Sequence, residues 1–229
     1  MQLKIISLNL AGFKDWELRR QKIIDFIDKE NPDVLLLQEV KFDPLISSFS
    51  QSTLLNQLLQ KPFAFTQTAV SKFYQPSVGE SYREGLAILS KFPIKDSEAL
   101  VFDKHPRIIQ SADLLINEQT VGIANIHLSN NKYSVEQLRE LITIFASRKE
   151  ERIIAGDFNI LQLENEKESY IENYTSSTDF KKYVSFPSEN ITLDYVLVPK
   201  HFAFESLDIY EGLSDHNALV FVVGLSEKL

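Results

Sequence analysis

The sequence contains no cysteine, which excludes a disulfide framework, a zinc–thiolate site and a thiol nucleophile. It also has no apolar stretch near the length of about 20 residues that a membrane-spanning helix needs. The opening segment, MQLKIISLNL, is too short and too often interrupted by polar residues for a signal peptide, and it is typical of a strand. Because no targeting segment is found, we expect the protein to be cytoplasmic.

Several catalytic signatures are missing as well. The sequence has no Walker A loop, no dinucleotide-binding fingerprint, no HExxH and no GxSxG nucleophile elbow. The run Ser214–Asp215–His216 has the composition of a serine-hydrolase triad, but neighbouring side chains point apart and cannot form one. We therefore expect Asp215 and His216 to serve a site separately.

Basic residues are in deficit, with 24 Lys and Arg against 32 Asp and Glu and a net charge of −8. Tight, sequence-independent binding to nucleic acid depends on basic side chains that neutralise phosphates, so this balance opposes it. A bound metal ion can invert the local charge of a site, and a phosphate substrate therefore remains compatible with the sequence.

The 229 residues show no internal repeat and no Pro/Gly-rich linker, which predicts a single domain over 1–229. Apolar spacing predicts helices over 15–30 and 134–148, the second opened by a capping box of Ser134 and Gln137. Short apolar runs predict an opening strand and further strands over 34–37, 85–90, 108–116, 120–128, 152–156, 193–198 and 218–223. Strands outnumber helices, which favours two packed mixed sheets with helices outside them.

Polar residues that can hold metal or phosphate stand at the ends of four apolar runs. These residues are Asn9, Glu39, His127 and the pair Asp157 and Asn159 in GDFN. Ligands of α/β sheets bind where strand ends bring such groups together, so the pattern predicts one site. Each of these features also has a purely structural interpretation. GDFN is compatible with a turn, and Glu39 could form an ion pair with Lys41. Asp194 could face water at a strand edge instead of accepting a hydrogen bond from a histidine.

Two stretches show no clear periodicity. The first, 67–84, is polar and aromatic and carries Lys72, Phe73, Tyr74, Tyr82 and Arg83, while the second, 164–187, is highly charged. Long connections in compact domains are usually functional or disordered. The remaining histidines, His105 and His201, are interpreted as surface or packing residues.

The motifs, taken in order, resemble those of the endonuclease/exonuclease/phosphatase superfamily along nearly the whole chain. They are Leu8–Asn9, Gln38–Glu39, Gly85–Ser90, Asn125–Leu128, Gly156–Asn159, Leu193–Leu197 and Ser214–His216. The resemblance implies an α/β fold of the DNase I type, a four-layer sandwich of two mixed β-sheets flanked by helices. It also implies metal-dependent hydrolysis of phosphoric esters.

The resemblance further implies a role for each matching residue. Glu39 is then the principal metal ligand, with Asn9 and Asp215 near the metal. Asp157 activates or orients the attacking water, His127 stabilises the phosphate or assists the leaving group, and His216 contacts the phosphoryl group while paired with Asp194. The residues expected to bind substrate are Asn9, Arg83, Arg107 and Asn159.

The substrate is left open by the sequence. Tryptophans typical of abasic-site endonucleases are missing before the final motif, and the inositol 5-phosphatase motif is absent, whereas the histidine of NIHL resembles DNase I and sphingomyelinase. We expect a monomeric phosphodiesterase of nuclease type that uses Mg²⁺ or Mn²⁺. The alternatives are a phosphomonoesterase, a lipid-headgroup phosphodiesterase and a non-catalytic binding module.

Overall fold

A computed structural model describes residues 1–42, 49–73, 83–102, 105–130 and 132–225. Twelve strands form two six-stranded sheets. The strands are β1 (Gln2–Asn9), β2 (Val34–Phe42), β3 (Phe65–Phe73), β4 (Arg83–Ser90), β5 (Ile94–Phe102), β6 (His105–Ile116), β7 (Gln119–His127), β8 (Arg152–Asp157), β9 (Tyr174–Ser176), β10 (Asp194–Pro199), β11 (Ala203–Tyr210) and β12 (Ala218–Gly224).

Three helices of at least two turns accompany the sheets. They are α1 (Trp16–Glu30), α2 (Gln51–Leu58) and α3 (Lys132–Arg148), and two single-turn helices follow, α4 (Lys167–Tyr170) and α5 (Ser177–Phe180). Helix α1 ends where Asn31 adopts a left-handed conformation and its backbone N–H bonds to Ile27 O. None of the helices in the part of the chain described here is long and apolar enough to cross a membrane.

Each sheet contains one parallel pair of strands. The first sheet has the order β11-β12-β1-β2-β4-β3, and the second has the order β5-β6-β7-β8-β10-β9. Helix α1 connects the parallel strands β1 and β2, and α3 connects the parallel strands β7 and β8. The carboxyl ends of each parallel pair lie on one side of its sheet. The hydrogen bond between Asn9 at the end of β1 and Asp157 at the end of β8 shows that the two pairs share that side of the molecule.

The apolar residues divide into an inner core and two outer ones. The inner cluster joins the facing sides of the two sheets, with Ile5 and Leu36 opposite Ile123 and Ile153. One outer cluster packs α1 and α2 against the first sheet, and the other packs α3 against the second sheet. The arrangement is a helix–sheet–sheet–helix sandwich, which confirms the expected fold class.

All of the predicted strands and both predicted helices are present, with corrected boundaries. Strand β2 does not stop at Leu37 but continues to Phe42 across an irregularity between Leu37 and Val40. The capping box at the start of α3 is wrong, because the helix begins at Lys132 and Gln137 Oε1 instead accepts a hydrogen bond from the backbone N–H of Ser129 at 2.7 Å.

The described parts of the two stretches without periodicity contain strands and short helices. Strands β3 and β4 occupy both ends of 67–84, although Tyr74 and Tyr82 lie outside the described residues. The stretch 164–187 contains α4, β9 and α5. Sequence periodicity predicted β4 over 85–90 but missed β3, β9, α4 and α5, which are short or lie at an edge of a sheet.

Candidate active site

The predicted polar strand ends meet at one edge of the sandwich. Asn9, His127 and Asp157 are the last residues of β1, β7 and β8, and Asp194 is the first residue of β10, which runs antiparallel to β8 and pairs with it at Asp157. Residue His216 lies in the loop before β12. The topology therefore brings together groups that are far apart in the sequence.

Glu39 reaches this edge through a bulge in β2. The pairing of β2 with β4 shifts between Leu37 and Val40, so Gln38 and Glu39 occupy the extra position. The φ angle of Glu39 is +52°, a left-handed conformation that is uncommon for residues other than glycine. A bulge redirects a side chain out of the regular strand alternation, and here it accompanies a carboxylate that faces the cleft.

Asp157 Oδ2 is the point on which the site converges. It lies 3.2 Å from Asn9 Nδ2, 3.4 Å from His127 Nε2 and 4.0 Å from His216 Nε2. The other carboxylate oxygen, Oδ1, accepts a hydrogen bond from the backbone N–H of Asn159 at 3.0 Å. The carboxyl group of Asp157 is thus held at both oxygens while Oδ2 faces the two histidines.

Gly156 lets β8 approach β7 closely just before Asp157. Its φ angle is +143°, and a Cβ atom added there would lie 2.1 Å from the carbonyl oxygen of Ile126. Two residues later, Asn159 has a φ angle of +51°, and its Nδ2 donates to Leu128 O at 2.9 Å. The GDFN segment is therefore more than a capping turn, because it fastens the end of β8 to the end of β7.

The tautomer of His127 follows from its neighbour. Arg107 Nη1 lies 3.2 Å from His127 Nδ1 and 2.8 Å from Glu84 Oε1. A guanidinium only donates hydrogen bonds, so Nδ1 accepts and neutral His127 carries its proton on Nε2. Burial, followed by the charges of Arg107 and His216, lowers the pKa of His127 well below its usual value, which keeps the ring neutral with Nε2–H near Asp157.

His216, in contrast to His127, is held in its protonated, cationic form. Its Nδ1 donates to Asp194 Oδ2 at 2.8 Å. Burial opposes the cation, but the charge and hydrogen bond of Asp194 and the charges of Asp157 and Asp215 outweigh burial and raise the pKa of His216 to about 9. The hydrogen bond expected between Asp194 and a histidine is present, and Asp194 is buried instead of water-facing.

Ser185 fixes the backbone around this pair. Its Oγ accepts from the backbone N–H groups of Leu193 and Asp194, both at 2.9 Å, and its carbonyl oxygen accepts from Asn217 N at 2.7 Å. Ser185 is therefore tied to residues on both sides of the Asp194–His216 contact. No sequence motif marked this serine.

The negative charges of the carboxylates in the site are not fully balanced by neighbouring groups of the protein. Burial, and then the charge of Asp194, raise the pKa of Asp157 to about 7. Burial, and then the charge of Glu84, also raise the pKa of Glu39. Both shifts disfavour the ionised form, and a nearby cation would reverse them.

Two sets of side-chain donor atoms are candidates for binding a metal ion. Ligand atoms of Asp157, Asp194 and His216 lie within 4.8 Å of one another. His216 is unsuited to ligation because its raised pKa favours the protonated ring, which has no free lone pair. The carboxylates of Glu39 and Asp157 instead share a hydrogen bond donor, Asn9 Nδ2, at 3.3 and 3.2 Å, and oxygen donors of this kind suit Mg²⁺ or Mn²⁺.

Asn9 acts here as a donor to both carboxylates. Its Oδ1 accepts from the backbone N–H of Ala11 at 3.0 Å, which orients Nδ2 toward Glu39 and Asp157. Asp215 lies at the rim, where it accepts from Ser214 Oγ and pairs with Lys14 at 3.6 Å. The assignment of Asn9 and Asp215 as metal ligands stays a prediction.

A cleft of about 800 Å³ opens above these groups. Its lining includes the predicted residues Glu39, Arg107, His127, Asp157, Asn159, Asp215 and His216. Arg83 is exposed at the start of β4 and is not found among the lining residues in the described part of the chain. Glu84, which the sequence did not mark, does line the cleft, and its position opposite Lys41 in the β2–β4 pairing is not visible in a motif.

The chain belongs to the Endonuclease/Exonuclease/phosphatase family, whose sequence profile matches residues 6–216. Members of this family are metal-dependent phosphoester hydrolases, which confirms the expected enzyme class.

Similar proteins fall within the same fold. A DNA-(apurinic or apyrimidinic site) endonuclease from Dictyostelium discoideum is 51% identical over 43 residues, which is 19% of this chain and 11% of that protein. An endonuclease/exonuclease/phosphatase family protein from Leptotrichia buccalis superposes with a TM-score of 0.80 at 16% identity, covering 97% of this chain and 100% of that one. The human nocturnin catalytic domain with bound sulfate superposes with a TM-score of 0.76 at 21% identity, covering 98% and 95%.

Proposed function

We propose that this protein hydrolyses a phosphodiester by in-line attack of water, with Mg²⁺ or Mn²⁺ held at Glu39. The single observation that carries the proposal is the convergence of Asn9, His127 and His216 on Asp157 Oδ2. A divalent cation held by Glu39 would supply charge that neutralises the phosphoryl oxygens.

Each residue has a role that its protonation state allows. Asp157 accepts a proton from the attacking water, whose oxygen forms the new bond to phosphorus as the bond to the leaving oxygen breaks. The cation of His216 donates a hydrogen bond to a phosphoryl oxygen, where negative charge accumulates. Neutral His127 donates from Nε2 to the phosphate or the leaving oxygen, and the leaving group takes its final proton from solvent.

The charge of the cleft favours a diester over a monoester. The lining contains Glu39, Glu84, Asp157, Glu189 and Asp215 against the cations Lys41, Arg107 and His216. A phosphomonoester carries nearly two negative charges at neutral pH, because its second pKa is about 6, whereas a diester carries one. Repulsion by the acidic lining therefore penalises the monoester more strongly.

Turnover of an aryl phosphodiester and of the matching aryl phosphomonoester tests the proposal. We expect diester hydrolysis with Mg²⁺ or Mn²⁺, none after chelation, and slower turnover of the monoester. A folded, metal-loaded protein without turnover of either ester would favour the binding module. Faster monoester turnover would favour a phosphomonoesterase.

The natural substrate is a separate question, and the short similarity to an abasic-site endonuclease supports a nucleic acid. We expect single strands to be preferred over duplexes, because the acidic chain has little basic surface to follow a duplex. Turnover of duplex DNA, single-stranded DNA, RNA and sphingomyelin under identical conditions compares these classes directly. Preference for sphingomyelin would move the proposal to a lipid-headgroup phosphodiesterase.

A further inference from the structure

A layer of buried polar side chains lies beneath the active site, between the two sheets. The same strands carry apolar inter-sheet residues one step further from the cleft, among them Ile5, Leu36 and Ile123. Burying polar groups costs free energy unless they are hydrogen-bonded, so this layer requires a specific explanation. Its members are Ser7, Gln38, Gln110 and Asn125.

Asn125 of β7 directs its whole side chain to the opposite sheet. Its Nδ2 donates to the carbonyl oxygens of Leu37 and Ala87, both at 3.0 Å. Its Oδ1 accepts from Gln38 Nε2 at 2.7 Å. Both N–H donors of the amide are thereby used, and each partner belongs to β2 or β4.

These partners surround the bulge that carries Glu39. Leu37 and Ala87 are the last regular pair before the β2–β4 register shifts, and Gln38 lies in the bulge itself. Glu39 follows in its left-handed conformation. Such a conformation is strained and persists only where the surrounding structure fixes it.

We propose that Asn125 is a positioning residue, which holds the bulge in the conformation that directs Glu39 into the cleft. Because Asn125 lies two residues before His127 on β7, the same hydrogen bonds set the spacing between Glu39 on the first sheet and His127 on the second. The inference rests on the proposed function in one respect, that Glu39 binds the metal ion.

The test compares Asn125→Leu with Gln110→Leu. Gln110 is a matched control because it is also a buried amide that bonds across the sheets, to Gln67 O at 2.9 Å, and its hydrogen bonding within the described residues does not involve the bulge. Two quantities are measured, Mn²⁺ affinity by calorimetry and backbone amide exchange over residues 37–42 by mass spectrometry. We expect Asn125→Leu to weaken Mn²⁺ binding by about tenfold or more and to speed exchange in this segment, whereas Gln110→Leu leaves both near wild type.

Unchanged affinity and exchange in a folded Asn125→Leu protein would overturn the inference, as would equal changes in both variants. If Asn125→Leu does not fold, Gln38→Met removes the bonds from Gln38 to Asn125 and Ser7 and should change both quantities in the same direction. No change in Gln38→Met would then overturn it.

The two proposals fail in different ways. Glu39→Gln should lose Mn²⁺ binding while exchange over 37–42 stays slow, because the hydrogen bonds of Asn125 to the residues around the bulge are intact. If the wild-type protein itself does not bind Mn²⁺, the proposed function fails, and the exchange comparison still decides the role of Asn125.

Discussion

The two histidines of the cleft have pKa values shifted in opposite directions by their neighbours. His127 faces the guanidinium of Arg107 and stays neutral, whereas His216 faces the carboxylate of Asp194 and stays charged. Between them Asp157 is buried, with a raised pKa. The residues therefore supply a neutral donor, a cationic donor and a proton acceptor in one place.

Replacing Asp194 with Asn should lower kcat by about 10²-fold with little change in KM, because the histidine loses the group that orients it and favours its cation. Steady-state kinetics on an aryl phosphodiester measures both constants. Asp208→Asn, at an exposed position on β11, is the control and should behave as wild type. A near-native kcat in Asp194→Asn would leave Asp194 with a structural role only.

The pH dependence of kcat/KM should be bell-shaped. Activity needs ionised Asp157 and protonated His216, so the rate rises as Asp157 loses its proton near pH 7 and falls as His216 loses its proton near pH 9. A bound cation favours ionised Asp157 and moves the acidic limb to lower pH. In Asp194→Asn the alkaline limb should move to lower pH, and an unmoved limb would contradict the assignment of His216.

The pair of Asp194 and His216 should also make the stability of the protein depend on pH. The pKa of His216 is raised on folding, so its contribution is complete below the unfolded value of about 6.5 and is lost as pH rises through about 9. The difference in unfolding free energy between wild type and Asp194→Asn should therefore shrink between these pH values. Denaturant titrations at intervals across this range measure it, and a constant difference would count against the charged pair.

At the scale of elements, the site depends on where strands end and on how closely they approach. The buried runs were predictable from sequence because strands covered on both faces are continuously apolar. Strands β3, β5 and β11 lie at or next to sheet edges and face solvent, so their sequences carry polar residues and escaped prediction. The bulge at Glu39 also escaped, because it depends on pairing with β4.

The close approach of β8 to β7 makes Gly156 sensitive to substitution. A Cβ atom in Gly156→Ala would meet the backbone oxygen of Ile126 at 2.1 Å, and the φ angle of +143° is also unfavourable for alanine. We expect a loss of about 2 kcal/mol or more in unfolding free energy. Gly224→Ala is the control, because the added atom would mainly displace the exposed end of Glu205. Equal stability of the two variants in denaturant would contradict the close packing.

At the scale of the whole molecule, the fold, the gathering of the site and the pairing of Asp194 with His216 were predictable from sequence, whereas the other partners of the site residues were not. Seven ordered motifs identified the strand ends, yet Glu84 and Ser185 act through contacts between distant segments. Such contacts depend on strand register and loop conformation, which leave no local pattern.

The net charge of −8 predicts a weak response of nucleic-acid binding to salt. Each phosphate neutralised by the protein adds about 0.9 to the slope of log K against log salt, and we expect few such contacts. Cleavage of duplex DNA should be weak, and binding of single strands should fall less than about tenfold between about 50 and 200 mM salt. Efficient duplex cleavage with a steep salt slope would contradict this expectation.

The central claim is that Glu39 holds the metal ion on which phosphodiester hydrolysis depends, and calorimetric titration of wild type and Glu39→Gln with Mn²⁺ tests it most directly. The account predicts binding by wild type, and neither binding nor diester turnover by a Glu39→Gln protein that is folded as judged by its unfolding transition. Unchanged Mn²⁺ affinity in Glu39→Gln would contradict the account.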